Sequence, residues 1–260
     1  MPECLKYKME TSACLPQFLK LYNDIVIFAG KDVITKRHSH HAIEILLSFD
    51  SQVALESVEG LIEARGLLLQ HDILHTNKGT GFILFIFINP ESTLGRRLNY
   101  LLNGNILMTI PEAIVEKARV FICDLLTHEF SENEISAYLT KLLVEDIALT
   151  ERNYTPDIRI DNVVSHIKSN LHKPPDFKTL KDIACLSESR LIHLFKKELG
   201  IPIRRYVLWH RLQKAIVFYL EGHTLTQSAY ITGFSDVAHF TRTFVSMFGM
   251  PPSHILKSFN

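Results

Sequence analysis

The chain has 260 residues, with 28 Lys+Arg against 28 Asp+Glu, 47% hydrophobic and 10% aromatic content. That length suggests one or two domains, and so much apolar material excludes a disordered tail and supplies ample core. The zero net charge is the sum of unlike halves: residues 1–156 hold 14 basic against 20 acidic residues (−6), and residues 157–260 hold 14 against 8 (+6), so a polyanionic partner belongs to the second half.

Cys4, Cys14, Cys123 and Cys185 show neither metal-ligand spacing nor a disulfide framework, which points to a reduced cytosol. No basic segment leads into an apolar core and cleavage site. The longest apolar run, Phe82 to Ile88, falls far short of the ~18 residues of a spanning helix. A soluble cytoplasmic protein with no membrane partner is expected.

A mixed segment to about Phe18 leads into short apolar strands at Ile25–Phe28, Ala42–Ser48, Val53–Leu55, Leu67–Leu69 and Gly81–Ile88. Turn-rich pieces separate them at Phe49-Asp50-Ser51, Glu59-Gly60 and Asn77-Lys78-Gly79. Short strands at near-regular spacing predict a small antiparallel barrel or sandwich, and a closed barrel of that size can hold one small ligand. His38, His40 and His41 stand at the mouth of one strand, with Glu44 just beyond and His75 at the end of a later strand. Strand alternation puts His38, His40 and Glu44 on one face, as shared coordination requires.

The next segments read as helices. Pro111 to His128 repeats Ile114, Ala118, Phe121, Ile122 and Leu125, and Ser131-x-x-Glu134 is a capping box opening a second helix with Ile135, Leu139, Leu142, Leu143, Asp146 and Leu149. This pair either packs on the barrel or forms a dimer seam, because periodicity shows a buried stripe without naming its partner. Cys123 falls near the buried side. Glu151 to Asp157, with Pro156, breaks the pattern as a linker, dividing a sensing domain over 1–154 from a second domain over 157–260.

Beyond the linker, helices are predicted over Ile160–Leu171, Phe177–Ala184 and Ser189–Leu199, the last two joined by the turn Cys185-Leu186-Ser187-Glu188 with Cys185 as a small filler. Leu191, Leu194, Phe195 and Leu199 face inward on the third helix, leaving Ser189, Ile192, His193, Lys196 and Lys197 outside, the pattern of a helix-turn-helix. Pro202 opens a long helix through Trp209 to Glu221-Gly222, and Leu225–Ile231 follows. Gly233 to Ser253 reads as turn, helix, stop: Ser235-Asp236 are N-cap types, Val237, Phe240, Thr241, Phe244 and Phe248 recur at helical spacing, and Gly249 with Pro251-Pro252 ends the run.

The stretch G-F-S-D-x-x-H-F-x-R-x-F-x-x-x-F-G-x-x-P resembles the signature of the AraC-type transcription regulators, and L-S-x-S-x-L-x-x-L-F-K-K-E-L-G and Y-V-x-x-x-R-L-x-K-A extend the match over residues 158–257. The resemblance implies an α+β chain: a cupin-like antiparallel barrel with two following helices, then two helix-turn-helix units joined by a long helix. It implies DNA contacts by Ser189, Ile192, His193, Lys196 and Lys197 in one reading helix and by Ala238, His239, Thr241 and Arg242 in the other, with Arg242 suited to a guanine edge. Three positions depart from the family pattern. Val245, Ser246 and Met247 stand where basic residues are usual, His193 where arginine is common, and Ser228 where an apolar residue is expected.

In the first half, H-S-H-x-x-x-E over His38, His40 and Glu44 resembles the opening of the cupin metal motif, while its second part is degraded to Gly66 and Q-H-D-I-L-H. His38, His40, Glu44 and His75 are therefore the candidate ligand-binding residues. No metal or other cofactor is expected, the alternative being a metal held by those same four. The implied partners are double-stranded DNA, RNA polymerase, a small-molecule effector and a second copy of the chain. The function implied is a sequence-specific regulator, as an activator, and not an enzyme; its rivals are a metal-dependent cupin enzyme fused to a DNA-binding domain and a ligand-independent regulator.

Overall fold

The computed structural model describes residues 16–145 and 157–256. Its contacts separate the bulk of the N-terminal half from a unit spanning residues 152–258. Linker residues 151–156, Cys4, Cys14, Asp146 and Leu149 lie outside the described residues, and Asp157, the last of the linker, caps the helix that follows.

In the first unit, β1 (Phe18–Leu21), β2 (Ile25–Lys31), β3 (Ile43–Ser48), β6 (Gly66–Leu69), β8 (Phe82–Ile88) and β9 (Leu107–Thr109) form a sheet in the order β1-β2-β8-β3-β6-β9. A second sheet holds β5 (Gly60–Ala64), β4 (Val53–Ser57) and β7 (Thr76–Gly79), in the order β5-β4-β7. Every pairing is antiparallel. β3 and β8 are buried along their whole length, which is why their sequences are continuous apolar runs rather than alternations. Ile27 pairs with Ile86 and Ile86 with Ile45, and this row of β-branched side chains crosses the middle of the core with no exposure.

The barrel expectation takes the form of two antiparallel sheets, and the Asn77-Lys78-Gly79 piece expected as a turn belongs to a strand, β7. β7 is polar, and pairing with β4 rather than its own apolar pattern makes it a strand. Three helical segments follow: α1 (Thr93–Leu102), α2 (Glu112–Thr127) and α3 (Glu132–Leu139), which continues as a π-helical turn over Thr140–Glu145. Ser92 caps α1, and a Cβ on Gly95 would run into the Asn89 carbonyl oxygen, so that contact demands glycine. Ser131 and Glu134 form the expected capping box. The stripes of α2 and α3, from Ile114 through Phe121 to Leu139, belong to the same core as β2, β3 and β8, so these faces serve packing within the unit. Cys123 is buried, its thiol donating to the Arg119 carbonyl at 3.2 Å.

The second unit is helical throughout: α4 (Ile158–Ser169), α5 (Phe177–Ala184), α6 (Glu188–Leu199), α7 (Ile203–Leu220), α8 (Leu225–Ile231), α9 (Val237–Phe248) and α10 (Pro252–Leu256). Ile160, Val163, Leu180, Leu191, Phe195 and Tyr206 knit α4 to α7 into one core. Phe234, Phe240, Phe244 and Phe248 form a chain of ring contacts with centroids 5.4, 5.9 and 4.8 Å apart, and Trp209 of α7 closes it at 5.9 Å from Phe248. Cys185 is exposed in the left-handed region (φ 51°) and ends α5, so it is the residue of the turn and not a filler beneath it.

Candidate nucleic-acid interface and the histidine cluster

On α6, Leu191, Phe195 and Leu199 point into the core, and Ser189, Ile192, His193, Lys196 and Lys197 are all exposed. Arg190 is exposed beside them, a cation that the motif comparison passed over. On α9, Ala238, Arg242 and Ser246 are exposed or half-buried at the surface, as are His239 and Thr241. The inward face is made by Phe240, Thr243, Phe244, Met247 and Phe248. Thr241 therefore borders the reading face instead of lying in the buried stripe, and Met247 is a core residue. Its lack of charge follows from that.

The start of α9 is fixed by a small network. Asp236 accepts from the His239 backbone N–H at 2.6 Å and from the Ser235 hydroxyl at 3.0 Å, and His239 Nδ1 lies 3.2 Å from the same hydroxyl. The imidazole also meets Phe234 edge-on at 5.3 Å. The backbone N–H bond from His239 and the Ser235 hydroxyl hold the Asp236 carboxyl below its ordinary pKa. Ser228, polar where an apolar residue is expected, is fully buried and donates to the Thr224 carbonyl at 3.0 Å, so its hydroxyl is satisfied within its own helix.

What sequence reading missed is the joint between the two helix-turn-helix motifs. Arg211, on α7, is buried and donates to the carbonyls of Leu171 (2.7 Å) and Lys173 (2.8 Å) after α4, and to that of Gly233 (2.7 Å) before α9. One guanidinium thus ties the connection preceding α5 to the turn preceding α9. The fork of donors in arginine suits three acceptors at once, where the single ammonium of lysine would not hold them in that plane. Between the two motifs runs α7, whose 18 residues rise about 27 Å at ~1.5 Å each.

Of the candidate ligand-binding residues, His38, His40, Glu44 and His75 are all buried, not at an exposed rim. Within the first unit His75 meets both His38 and Glu44, while His40 belongs to the short segment 39–41 that groups with the other unit. His38 and His40 precede β3, so strand alternation does not place them; His38 instead forms a two-bond antiparallel bridge with His75, 2.9 Å in each direction. Their rings lie 4.2 Å apart. His38 Nδ1 lies 2.8 Å from the Lys36 carbonyl and His75 Nδ1 2.9 Å from the Ile73 carbonyl. His75 Nε2 meets Glu44 Oε2 at 2.9 Å, and the Asn77 amide donates to Glu44 Oε1 at 3.3 Å. Burial lowers the His75 pKa, but the neighbouring Glu44 carboxylate outweighs it and leaves the imidazole above its ordinary value.

A helix-turn-helix domain family matches residues 180–258. Among curated proteins, the chain is 29% identical over 46% of its length to the probable transcriptional regulator LumQ of Photobacterium leiognathi, covering 48% of that protein. It is 31% identical over 46% of its length to the transcriptional activator RhrA of Rhizobium meliloti, covering 39% of that protein. The chain thus spans half or less of the length of these curated relatives. Among solved structures, an apo variant of ToxT from Vibrio cholerae aligns with a TM-score of 0.65 over 93% of this chain and 100% of that one, at 11% identity, a likeness of fold. A second ToxT structure, bound to an unsaturated fatty acid, aligns with a TM-score of 0.59 over 93% of this chain and 98% of that one, at 13% identity. Residues 180–258, which hold the exposed faces of α6 and α9, thus carry a helix-turn-helix domain, and the chain is similar over about half its length to proteins named as transcription regulators.

Proposed function

We propose that the chain reads double-stranded DNA through α6 and α9 in successive major grooves, under the control of a small molecule bound by its first unit. The observation that carries this is the pair of exposed reading faces held in one unit by the Arg211 clamp. The ~27 Å rise of α7 approaches the ~34 Å of one DNA turn, so the faces suit adjacent grooves on one side of a duplex. Ser189, Ile192, His193, Ala238, His239 and Thr241 supply short polar or apolar contacts to base edges, Arg242 supplies a bidentate grip on guanine, and Lys196 and Lys197 neutralise phosphates.

Effector control is supported by a cleft of about 590 Å³ in the first unit, lined by Asn23, Asp24, Arg97, Glu132 and Thr140 among others. Its mixed polar lining suits a small molecule carrying a charged or hydrogen-bonding group. ToxT, which is similar in fold, binds an unsaturated fatty acid in one solved structure, and this supports a ligand-responsive reading. Dimerisation, activation through RNA polymerase and residence in the cytoplasm complete the reading, and the domains divide at residues 154–157.

Selection of genomic fragments by the purified protein tests the DNA reading. Two half-elements about one helical turn apart are expected. A motif covering one groove would remove α9 from the contact set, and absence of any enriched motif with or without metabolite extract would overturn the proposal.

A further inference from the structure

The second unit holds a cavity of about 230 Å³ that the DNA reading does not use. It lies between the end of α4, the connection that follows, the start of α5 and one turn of α7. We propose that it binds a compact apolar monocarboxylate, one ring or a short branched chain, and that occupancy acts on the Arg211 joint. The binding itself does not rest on DNA recognition.

Size and lining set the class. Ile167, Leu171, Leu180 and Val207 are buried and make the lining largely apolar. Pro174 and Pro175 add a wall whose φ angles are fixed by their rings, so little order is lost when a ligand enters. An apolar cavity of ~150 Å³ is enough for benzene, whereas drug-sized ligands fill ~300–1,000 Å³. A single ring with one small polar group fits between those limits. A long acyl chain does not.

The polar lining decides the charge. The Asn170 amide donates to the His166 carbonyl at 2.9 Å, and the Asp176 carboxylate accepts from the Thr179 hydroxyl at 2.6 Å and the Lys178 backbone N–H at 3.1 Å. Lys173 and His166 line the cavity as well, and among the described residues neither side chain has a hydrogen-bond or ion-pair partner. The groups left over are therefore an ammonium and an imidazole, and the flexible lysine stem lets the ammonium meet a carboxylate at the opening. An amine would find the Asp176 oxygens already engaged.

Leu171 and Lys173 serve twice. They line the cavity, and their carbonyls are two of the acceptors of the Arg211 guanidinium, at 2.7 and 2.8 Å. A ligand that shifts residues 171–173 alters the bonds of Arg211, and by linkage a change at Arg211 alters the ligand's affinity by the same factor.

Calorimetry on the full-length protein with cyclohexanecarboxylate, its amide and cyclohexylmethylamine tests the site. A single site of millimolar or tighter affinity is expected for the carboxylate, with weaker binding of the amide and none of the amine. Lys173→Glu should weaken it by about tenfold or more, since it sets like charges together, and Lys173→Arg should retain it. Lys214→Glu makes the same charge change at an exposed α7 residue outside the cavity and should leave binding unchanged. No binding of the carboxylate, preference for the amine, or equal loss in Lys173→Glu and Lys214→Glu overturns the site. For the coupling, Arg211→Met and Gly233→Ala, each checked for folding by circular dichroism, should shift carboxylate affinity by about fivefold. Unchanged affinity in whichever of the two folds overturns it. No DNA enters these measurements, so their failure and failure of the DNA reading are separate results.

Discussion

Arg211 reaches from α7 to the carbonyl of Gly233 at 2.7 Å, and the same guanidinium holds Leu171 and Lys173 on the other side. Replacing it with methionine keeps the aliphatic length and removes every donor. The three carbonyls then lose a charged partner, each such bond being worth ~1.5–3 kcal/mol and not additive with its neighbours. A net loss of about 3 kcal/mol is expected in urea unfolding. Trp209, the protein's single tryptophan, lies in this unit and reports it by fluorescence. Because the clamp sets the joint between reading helices, Arg211→Met should also weaken a two-element operator more than an isolated half-element. Equal weakening of both would make Arg211 a stabiliser only.

Gly233 sits at φ +89°, and a Cβ there would lie 2.9 Å from the Arg211 guanidinium. Gly233→Ala therefore combines a left-handed backbone with a steric push on the clamp, and a loss exceeding ~1 kcal/mol follows. In the double variant with Arg211→Met the push disappears, so the two losses should fall short of adding, with a coupling of about 0.5–3 kcal/mol. Simple additivity in the unfolding data would refute the contact.

Arg242 is the guanidinium that α9 presents at its surface, and Lys196 and Lys197 end α6. Arg242→Ala should cost about 1–3 kcal/mol of operator affinity and relax the preference for guanine at one position. Lys196→Ala or Lys197→Ala should weaken binding evenly across sequences and lower the slope of log affinity against log salt by about 1. Fluorescence anisotropy over a salt series with point-mutated operators separates the two patterns.

Three helices of the second unit open on aspartates: Asp157 for α4, Asp176 for α5 and Asp236 for α9. All three carboxyls are held below their ordinary pKa, Asp157 by the Arg159 side chain, Asp176 by the Thr179 hydroxyl, and Asp236 by the His239 N–H. A depressed folded value means that the stabilisation is complete above the unfolded carboxylate value near ~3.9 and drains away as pH falls through the folded values. Trp209 fluorescence should show the second unit loosening in that acid window. An Asp176→Asn/Asp236→Asn variant should show a flatter acid profile, since asparagine still caps but does not titrate; an unchanged profile would assign the acid response to other groups.

The second unit was legible in sequence because its information is local. Phe240, Phe244 and Phe248 follow the period of the helix they lie on, and Ser235-Asp236 and Gly249 mark its ends within a few residues. In the first unit the apolar strands, such as β3 and β8, and the capped helix pair α2 and α3 were legible. β7 reads T-N-K-G and has no such pattern; its identity comes from β4, about twenty residues earlier in the chain. The members of the histidine cluster were named in sequence, but their arrangement was not legible there, for the same reason. Its defining contact pairs His38 with His75 across the fold, so spacing within His38-Ser39-His40 carried the wrong geometry. Arg211 was visible as one letter of a motif, but its carbonyl acceptors are backbone atoms and leave no trace in side-chain identity.

If the chain reads DNA as proposed, the Arg211 joint also bears on how its specificity can diversify. Its acceptors are main-chain oxygens, so changes of side chain at Leu171 and Lys173 remove no acceptor, whereas Gly233 must stay glycine. The spacing between the reading faces is thereby insulated from drift, while Ser189, Ile192, His193, Ala238 and Arg242 stand at the surface and are exchangeable. On the proposed DNA reading, a lineage built on this frame acquires new operators by swapping letters within a ruler of fixed length, and it loses that ruler when Arg211 or Gly233 changes.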